Sequence, residues 1–476
     1  MNNVTGHGRI GDVEASFFKK FIYTVKSLKD RAFWAALLPL AIPIALQNLL
    51  TNSFQLVDTL MIGKLGDTAI GAVGAAGRVS FFAGIVIFGV CSGGAVFIAQ
   101  YWGAKDIAGV RRAYGLITLI TTAFAALLSL LCFIFPTQVL SILTNDADKI
   151  ADGAEYLRIA CFSYIGIALS QCFGTALRCT EKVKLPMYVS FASVVLNALL
   201  NYTFIFGKFG APELGIVGAG VATTVSALLN PILLLLFSIR SGNVLTSKPR
   251  DMFDFSGGFV GRFIRRAYPV VLNELFWVTG MTIYDMVYGR MQPTDYTALT
   301  VFRTIESLSF VLFMGVCNSC NVVVGMAVGE GDYHRAKLDA ARYLLLVPAI
   351  GTVMGVIMIL VRAPILSLFD ISAEAAYKAS VLLLIYACEM SLRNIPYMSI
   401  CGIFRAAGDT KSGLYFEMGD YYLFAIPLTI VLGLVVKLDF LWVYLIMLLA
   451  EDVPKSILCM WRFLTFKWIK PVTEMK

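Results

Sequence analysis

Asp58, Glu274, Glu389, Asp420 and Glu451 are acids set in stretches that are otherwise apolar. A charge near the core of a bilayer costs roughly 2.5–3.5 kcal/mol on insertion scales, so each needs a reason. Carboxylic acids suit one task there. Burial raises their pKa toward the physiological range, so they can take or lose a proton as access changes. The same oxygens can hold Na⁺, and an organic cation competes for the same charge.

Local spacing divides these acids. Glu451 and Lys455 are four apart, Glu389 and Arg393 are four apart, and Arg303 and Glu306 are three apart. Such spacings put both charges on one helix face. Each pair reads either as a neutralised structural pair or as a proton or ligand site that exchanges partners. Asp58, Glu274 and Asp420 have no such neighbour. Gln47, Asn48, Asn52 and Gln55 precede Asp58 as one polar stripe, which looks like a wet pathway. The alternative for Asp58 is a pair with Arg78 in the next span. Glu274 follows Asn273 and lies five residues after Pro269, whose missing N–H frees a carbonyl that can help hold a cation. Glu417 and Asp420 open the eleventh span, where Glu417 reads as an interfacial acid.

The elements that must position these groups are membrane helices. The chain has 476 residues, 58% hydrophobic and only 15% charged. A soluble chain has roughly 45–50% apolar and about 25% charged residues. About 20 apolar residues cross a bilayer, and the runs here make about twelve spans with short connections. The expected architecture is an all-α integral membrane protein with twelve transmembrane helices. The formal net charge of +8 is distributed by side. With the N-terminus inside, about 27 Lys and Arg fall on inner connections and about 7 on outer ones. That places both termini in the cytoplasm of a cell-membrane protein and argues against nucleic acid. The first 30 residues lack a compact signal peptide and read as a cytoplasmic lead-in.

Ten cysteines lie almost entirely within apolar runs, which argues against a disulfide framework. Cys317 and Cys320 have metal-like spacing, but the two histidines, His7 and His334, are outside the spans. The pair reads as packing. No G-x-x-x-x-G-K-[ST] sequence is present to bind ATP. No catalytic constellation is visible, so an enzyme is not expected.

The chain repeats itself. A shift of 226 places Pro43 on Pro269, Gly63 on Gly289, Gly89-Val90-Cys91 on Gly315-Val316-Cys317, Gly103 on Gly329 and Asp106 on Asp332. A shift of 227 places Arg178 on Arg405, Lys184 on Lys411 and Tyr188 on Tyr415. Six is even, so equivalent spans start on the same side. The two six-helix lobes should relate by a pseudo-two-fold axis along the membrane normal, a geometry suited to rocking. The expected division is a cytoplasmic arm over 1–35, a first lobe over 36–240, a linker over 241–265, a second lobe over 266–463 and a tail over 464–476.

Three stretches resemble the MATE multidrug and toxin extrusion family. The first is Pro43-Ile-Ala-Leu-Gln47 through Val57-Asp58-Thr59 to Gly63-Lys-Leu-Gly66. The second is Ala99-Gln100-Tyr101-Trp102-Gly103-Ala104-Lys105-Asp106. The third runs from Leu196-Asn197 and Asn201 through Phe206-Gly207 and Gly218-Ala-Gly220 to Ala222-Thr223. In the second half, Asn273-Glu274, Gly329-Glu-Gly-Asp332 and Phe404-Arg405-Ala-Ala-Gly408-Asp409-Thr410 fit a bacterial branch. The resemblance implies export of amphipathic organic cations or metabolites by a monomer, in antiport with H⁺ or Na⁺ and without another cofactor. It implies ion or substrate roles for Asp58, Asn197 and Asn201 and for a second-lobe acid, which keeps Glu389 and Glu451 as candidates. From the residues themselves, Gln55, Thr223, Glu274 and Asp420 complete the candidate set, with Arg78, Arg303, Glu306, Arg393 and Lys455 as structural charges. Some members carry Asp where Asn201 stands, which removes a charge here. Asn197 and Asn201 also read as ordinary interhelical hydrogen bonding. The alternative function is a flippase for a lipid-linked precursor. An anionic pyrophosphate would need several basic residues in the cleft, and most of the buried bases here have acidic neighbours.

Overall fold

A computed structural model describes residues 23–246, 249–369 and 371–473, with the side chains of 52–57, 60, 67 and 249 outside the description. The first lobe comprises α1 (Arg31–Gly63), α2 (Asp67–Gly103), α3 (Ile107–Ile134), a short α4 (Pro136–Ser141), α5 (Ala147–Ala160), α6 (Ser163–Cys179), α7 (Lys184–Ile205) and α8 (Gly215–Arg240). The second comprises α9 (Gly257–Tyr288), α10 (Pro293–Gly329), α11 (Tyr333–Leu366), α12 (Ala373–Phe404), α13 (Thr410–Val435) and α14 (Phe440–Leu464).

Among the described residues nine helices are long and apolar enough to cross a membrane. The fourth expected span is broken: α5 and α6 meet at 48° and together make a tenth. The other two are α9 and α14, of 32 and 25 residues. They carry Glu274 and Asp285, and Glu451, Asp452 and Lys455, so their apolarity is diluted by the charges of interest. The result is twelve spans in two six-helix lobes.

The repeat is visible in the helix ends. Asp106 caps α3 by accepting from the Gly109 N–H at 2.9 Å, and its equivalent Asp332 caps α11 by accepting from the Arg335 N–H at 2.9 Å. Each cap satisfies a backbone donor left over in the first turn. We expect Asp106→Ala and Asp332→Ala each to cost about 0.5–2 kcal/mol. The two losses should add, because the caps share no hydrogen-bond partner: Asp106 serves the Gly109 N–H and Asp332 the Arg335 N–H. Thermal unfolding of the singles and the double in detergent checks this.

Helix α9 starts nine residues earlier than expected, at Gly257, because Ser256 accepts from the Phe259 N–H at 3.2 Å and begins the helix inside the expected linker. The N-terminal arm before residue 23 lies outside the described residues. At the head of α1, Asp30 accepts from the Ala32 N–H and meets Arg342 of α11 at 3.0 Å. The Ala32 N–H and the Arg342 guanidinium hold its carboxyl below the usual carboxylate range.

Between the lobes, α1 packs on α10, and α2 packs on α9 and α10. Among the described residues, the hydrogen bonds that cross between lobes fall in the half of the bundle nearest the linker. They include Ser319 to the Leu37 carbonyl, Gln100 to the Ala406 carbonyl, and Arg405 to Ser92. Small residues let backbones meet there, as membrane helices require in the absence of a hydrophobic drive. Within the lobes α1 packs on α7 and α9 on α13.

Candidate ion and substrate site

The first-lobe site is built on α1, α7 and α8. Asn197 and Asn201, one turn apart on α7, are both buried, and the Asn201 side chain faces α1. The Ser226 hydroxyl donates to the Ala222 carbonyl at 2.5 Å, as a helical serine can. Its oxygen accepts from Asn197 Nδ2 at 2.7 Å, Asn197 Oδ1 accepts from Asn201 Nδ2 at 2.9 Å, and Asn201 Nδ2 also donates to Asp58. Asp58 is half-buried on α1, and its partner is Asn201 rather than Arg78, which is exposed. A bundle brings α7 closer to Asp58 than the turn between α1 and α2 brings Arg78. Among the described residues no donor reaches the buried Asn201 Oδ1. It lies on the residue that holds the Asp58 carboxylate, so a cation or an acidic proton near Asp58 would find a second acceptor. Tyr156 of α5 lies beside both Asp58 and Thr223. The side chain of Gln55 lies outside the described residues.

The second-lobe site is larger. Glu274 on α9 meets Arg405 at 2.6 Å, and both are buried. Farther along, Lys455 on α14 lies 3.2 Å from Glu451 and 3.6 Å from Asp420. The Tyr421 hydroxyl donates to Glu451 Oε1 at 2.7 Å. Glu451 and Lys455 therefore pair as their spacing predicts.

The other two spacings mislead. Arg393 reaches Glu306 at 3.2 Å and Asp452 at 3.9 Å, while Arg303 turns to Asp285. Glu389 is buried, and among the described residues neither of its oxygens has a donor. A shared helix face permits a pair but does not compel one when a neighbouring helix offers an acid at closer reach.

In the sequence Arg405 stands only as a repeat and motif position, Glu417 reads as an interfacial acid, and Asp452 is not singled out. Two consecutive acids in the middle of the last span were the available signal for Asp452. Glu417 is buried, with Asn273 Nδ2 donating at 3.4 Å, and is not interfacial.

Charge balance states what this cluster can do. Glu306, Glu389, Glu417, Asp420, Glu451 and Asp452 face Arg393 and Lys455. Arg303 and Arg405 also act on Glu306 and Glu417, but each is paired with a further acid, Asp285 and Glu274, so eight carboxylates stand against four cations and cannot all be ionised at low dielectric. Some must carry protons or bound cations. Glu389 and Asp452 lie within hydrogen-bonding reach of each other, yet among the described residues no donor serves the Glu389 oxygens. One proton shared between the two carboxyls would supply it.

Stretches of π-helix interrupt the helices that carry these groups, at Met398–Phe404 just before Arg405 and at Tyr421–Ala425 just after Asp420. Such bulges re-aim neighbouring side chains and are frequent at functional sites. Among the described residues no group of His, Cys, Asp and Glu is arranged to hold a metal ion. The Cys317 and Cys320 sulfurs pack against Gly402, as small residues at a helix contact.

Two six-helix lobes with buried acids lacking full compensation define a multi-pass membrane protein of the secondary-transporter class. The MatE family model matches residues 43–203 and 269–431, once in each lobe, with start points at Pro43 and Pro269. The chain belongs to the MatE family, whose members are ion-coupled transporters. The multidrug resistance protein MdtK of Pectobacterium atrosepticum is 25% identical over 396 residues, covering 82% of this chain and 85% of that one. The probable multidrug resistance protein NorM of Thermotoga maritima is 24% identical over 448 residues, covering 91% and 93%. Solved structures show the same fold. One is a MATE protein in complex with MaL6, with a TM-score of 0.82 at 18% identity over 91% of this chain and 96% of that one. Another is the eukaryotic MATE transporter AtDTX14, with a TM-score of 0.78 at 20% identity over 95% and 98%.

Proposed function

We propose that this protein exports amphipathic organic cations, drugs or metabolites, in exchange for H⁺ or Na⁺, as a monomer with both termini in the cytoplasm of a cell membrane. The observation that carries the reading is the excess of buried carboxylates over buried cations in a two-lobed MatE fold. An excess of acid must be filled from one side of the membrane and can be emptied to the other. Asp58 with Asn201, Asn197 and Thr223 forms the first-lobe loading site; Gln55 belongs to the same helix. Glu274, Glu389, Asp420, Glu451 and Asp452 form the second. The Glu389 and Asp452 pair favours a proton as the second-lobe ion, because two facing carboxyls share a proton readily, whereas the nearby Lys455 ammonium opposes Na⁺. The substrate cation competes for the same oxygens, and that competition is the exchange.

The energy suffices. One charge moving through 100 mV gains roughly 2.3 kcal/mol, and a tenfold ion gradient adds about 1.4 kcal/mol. A lipid-linked pyrophosphate is a poorer fit, because Arg405, Arg393 and Lys455 are each already held by an acid.

Proteoliposomes loaded with ethidium test the reading under separately imposed pH and Na⁺ gradients. The expected result is movement driven by one gradient in wild type, and loss of at least tenfold in Asp58→Asn and Glu274→Gln at equal protein level, the size of one lost charge interaction of about 1.4 kcal/mol. Gradient-independent movement, or none with a panel of cations, defeats it.

A further inference from the structure

Arg405 joins two things that are otherwise separate. It is 3% exposed, at the end of the π-helical stretch Met398–Phe404. Nη2 is the atom that meets Glu274 at 2.6 Å, inside the second lobe. Nη1 donates to the Ser92 hydroxyl of α2 at 3.2 Å, across the lobe boundary. The next residue extends the crossing. The Ala406 carbonyl accepts from Gln100 Nε2 at 2.8 Å, and Gln100 Oε1 accepts from the Val472 N–H at 2.8 Å. Gln100 is fully buried. The acid site and the closed contact thus share one guanidinium.

The repeat shows that this wiring is one-sided. Arg178 is the first-lobe equivalent of Arg405, and Asn318 the equivalent of Ser92. Arg178, Ser92 and Asn318 line one cavity of about 30 Å³ at the lobe boundary. Position 48, the equivalent of Glu274, is Asn. Arg178 donates to Thr175 at 2.9 Å, and among the described residues no acid pairs with it. Both lobes bring an arginine to the boundary, and in the second that arginine answers to a carboxylate.

We propose that Arg405 is a positioning residue that reports the state of Glu274 to the contact between the lobes. With Glu274 ionised and empty, the ion pair holds the guanidinium where Nη1 reaches Ser92, and the linker end stays closed. When Glu274 takes a proton, Arg405 loses its counter-charge while still buried. An uncompensated buried charge is strongly unfavourable. Parting the lobes lets water reach the guanidinium and removes that penalty. Loading Glu274 with a proton therefore releases the linker-end contact, and loss of the proton lets the contact re-form. The titratable groups around Glu274 are Arg405, Tyr397 and Cys401 on α12, Glu417 on α13 and Cys317 on α10. Arg405 is the cation among them, and it is the one that crosses the boundary.

This rests on Glu274 being a loading site, so the test reads closure without any substrate. Hydrogen exchange would be followed by mass spectrometry in nanodiscs over residues 90–106 and 325–333, which carry the lobe contact. Glu274→Gln mimics the loaded acid and should raise exchange in both segments about fivefold or more, the lower end of ordinary coupling. Ser92→Ala should raise it as well, and the double variant should exchange no faster than Glu274→Gln alone, because both act through one guanidinium. Arg405→Lys, which keeps a charge but lacks the fork, should behave like Ser92→Ala even if a larger change at 405 prevents folding. Unchanged exchange in Glu274→Gln, or additive effects in the double, overturns the proposal. If Glu274→Gln leaves exchange unchanged while abolishing ethidium transport, the exporter reading stands and the role of Arg405 falls. If Glu274→Gln opens the contact but transports normally, the role of Arg405 in closure stands and Glu274 is not the loading site.

Discussion

Lys455→Met is expected to destabilise the protein by about 3–5 kcal/mol, the usual result of removing one partner from a buried ion pair. The Lys455 side chain is 4% exposed and serves two acids on two helices, Glu451 at 3.2 Å on its own helix and Asp420 at 3.6 Å on α13. It also lies 4.4 Å above the Tyr421 ring. Without the ammonium, two carboxylates whose side chains are at most 7% exposed lose their nearest cation. Methionine fills the space of the stem, so the cost reports charge more than volume. The partner variant separates the two. Glu451→Gln in the Lys455→Met background removes one orphaned charge while leaving an acceptor for the Tyr421 hydroxyl, and should recover most of the loss. Glu451→Gln alone should be milder than Lys455→Met, because Lys455 keeps Asp420. Unfolding in detergent of the two singles and the double measures the coupling directly. A Lys455→Met protein as stable as wild type would show that the acids near it are already neutral.

The fold was legible because the signals that decide it are long. Apolar runs, charge sidedness and a repeat in register over most of each half all point to twelve spans in two lobes, and consistency across levels is what makes such a reading secure. Partner choice was not legible. Local spacing put Arg393 with Glu389 and Arg303 with Glu306, yet Arg393 goes to Glu306 and Arg303 to Asp285. A side chain on a helix face can turn to any neighbour that the bundle supplies, and which helix lies opposite is tertiary information. Lys455 and Glu451 succeeded because the neighbouring helix added Asp420 without displacing Glu451. Asp452 stands three residues before Lys455, but that lysine already has Glu451 four residues before it, so spacing alone does not mark Asp452 as a separate member of the cluster. The role of Gly408-Asp409-Thr410 is hidden because the partners of Asp409 are distant in sequence, although Arg405 stands four residues before it. Asp409 is buried where Arg462 and Lys470 converge at 2.6 Å each, so the motif pins the C-terminal segment.

Gly103 and Gly329 carry the second large expectation, and it follows from shape alone. They are equivalent under the repeat and end α2 and α10. A Cβ added at Gly329 would stand 1.9 Å from the Gln100 carbonyl oxygen, and one at Gly103 would stand 2.2 Å from the Met326 carbonyl oxygen. Each opposing atom is backbone of the other lobe, so no flexible side chain can swing aside. Neither glycine has a left-handed φ, so alanine is acceptable to its own helix. Ordinarily Gly→Ala in a helix gains about 1 kcal/mol. Here the gain is available to the lobes apart, whereas the closed contact is overpacked at about 1–3 kcal/mol. Gly329→Ala should therefore shift the balance away from linker-end closure about 5- to 150-fold. Export should slow accordingly, while substrate still binds from the linker side. Gly103→Ala should act in the same direction through the equivalent contact. Gly84→Ala, on the same helix as Gly103 but with nothing within 4 Å of the added Cβ, is the control and should transport normally. Equal loss at Gly84 would mean that α2 itself, and not the contact, is being disturbed. Wild-type export by Gly329→Ala would mean that the lobes need not close at their linker ends for the cycle to turn.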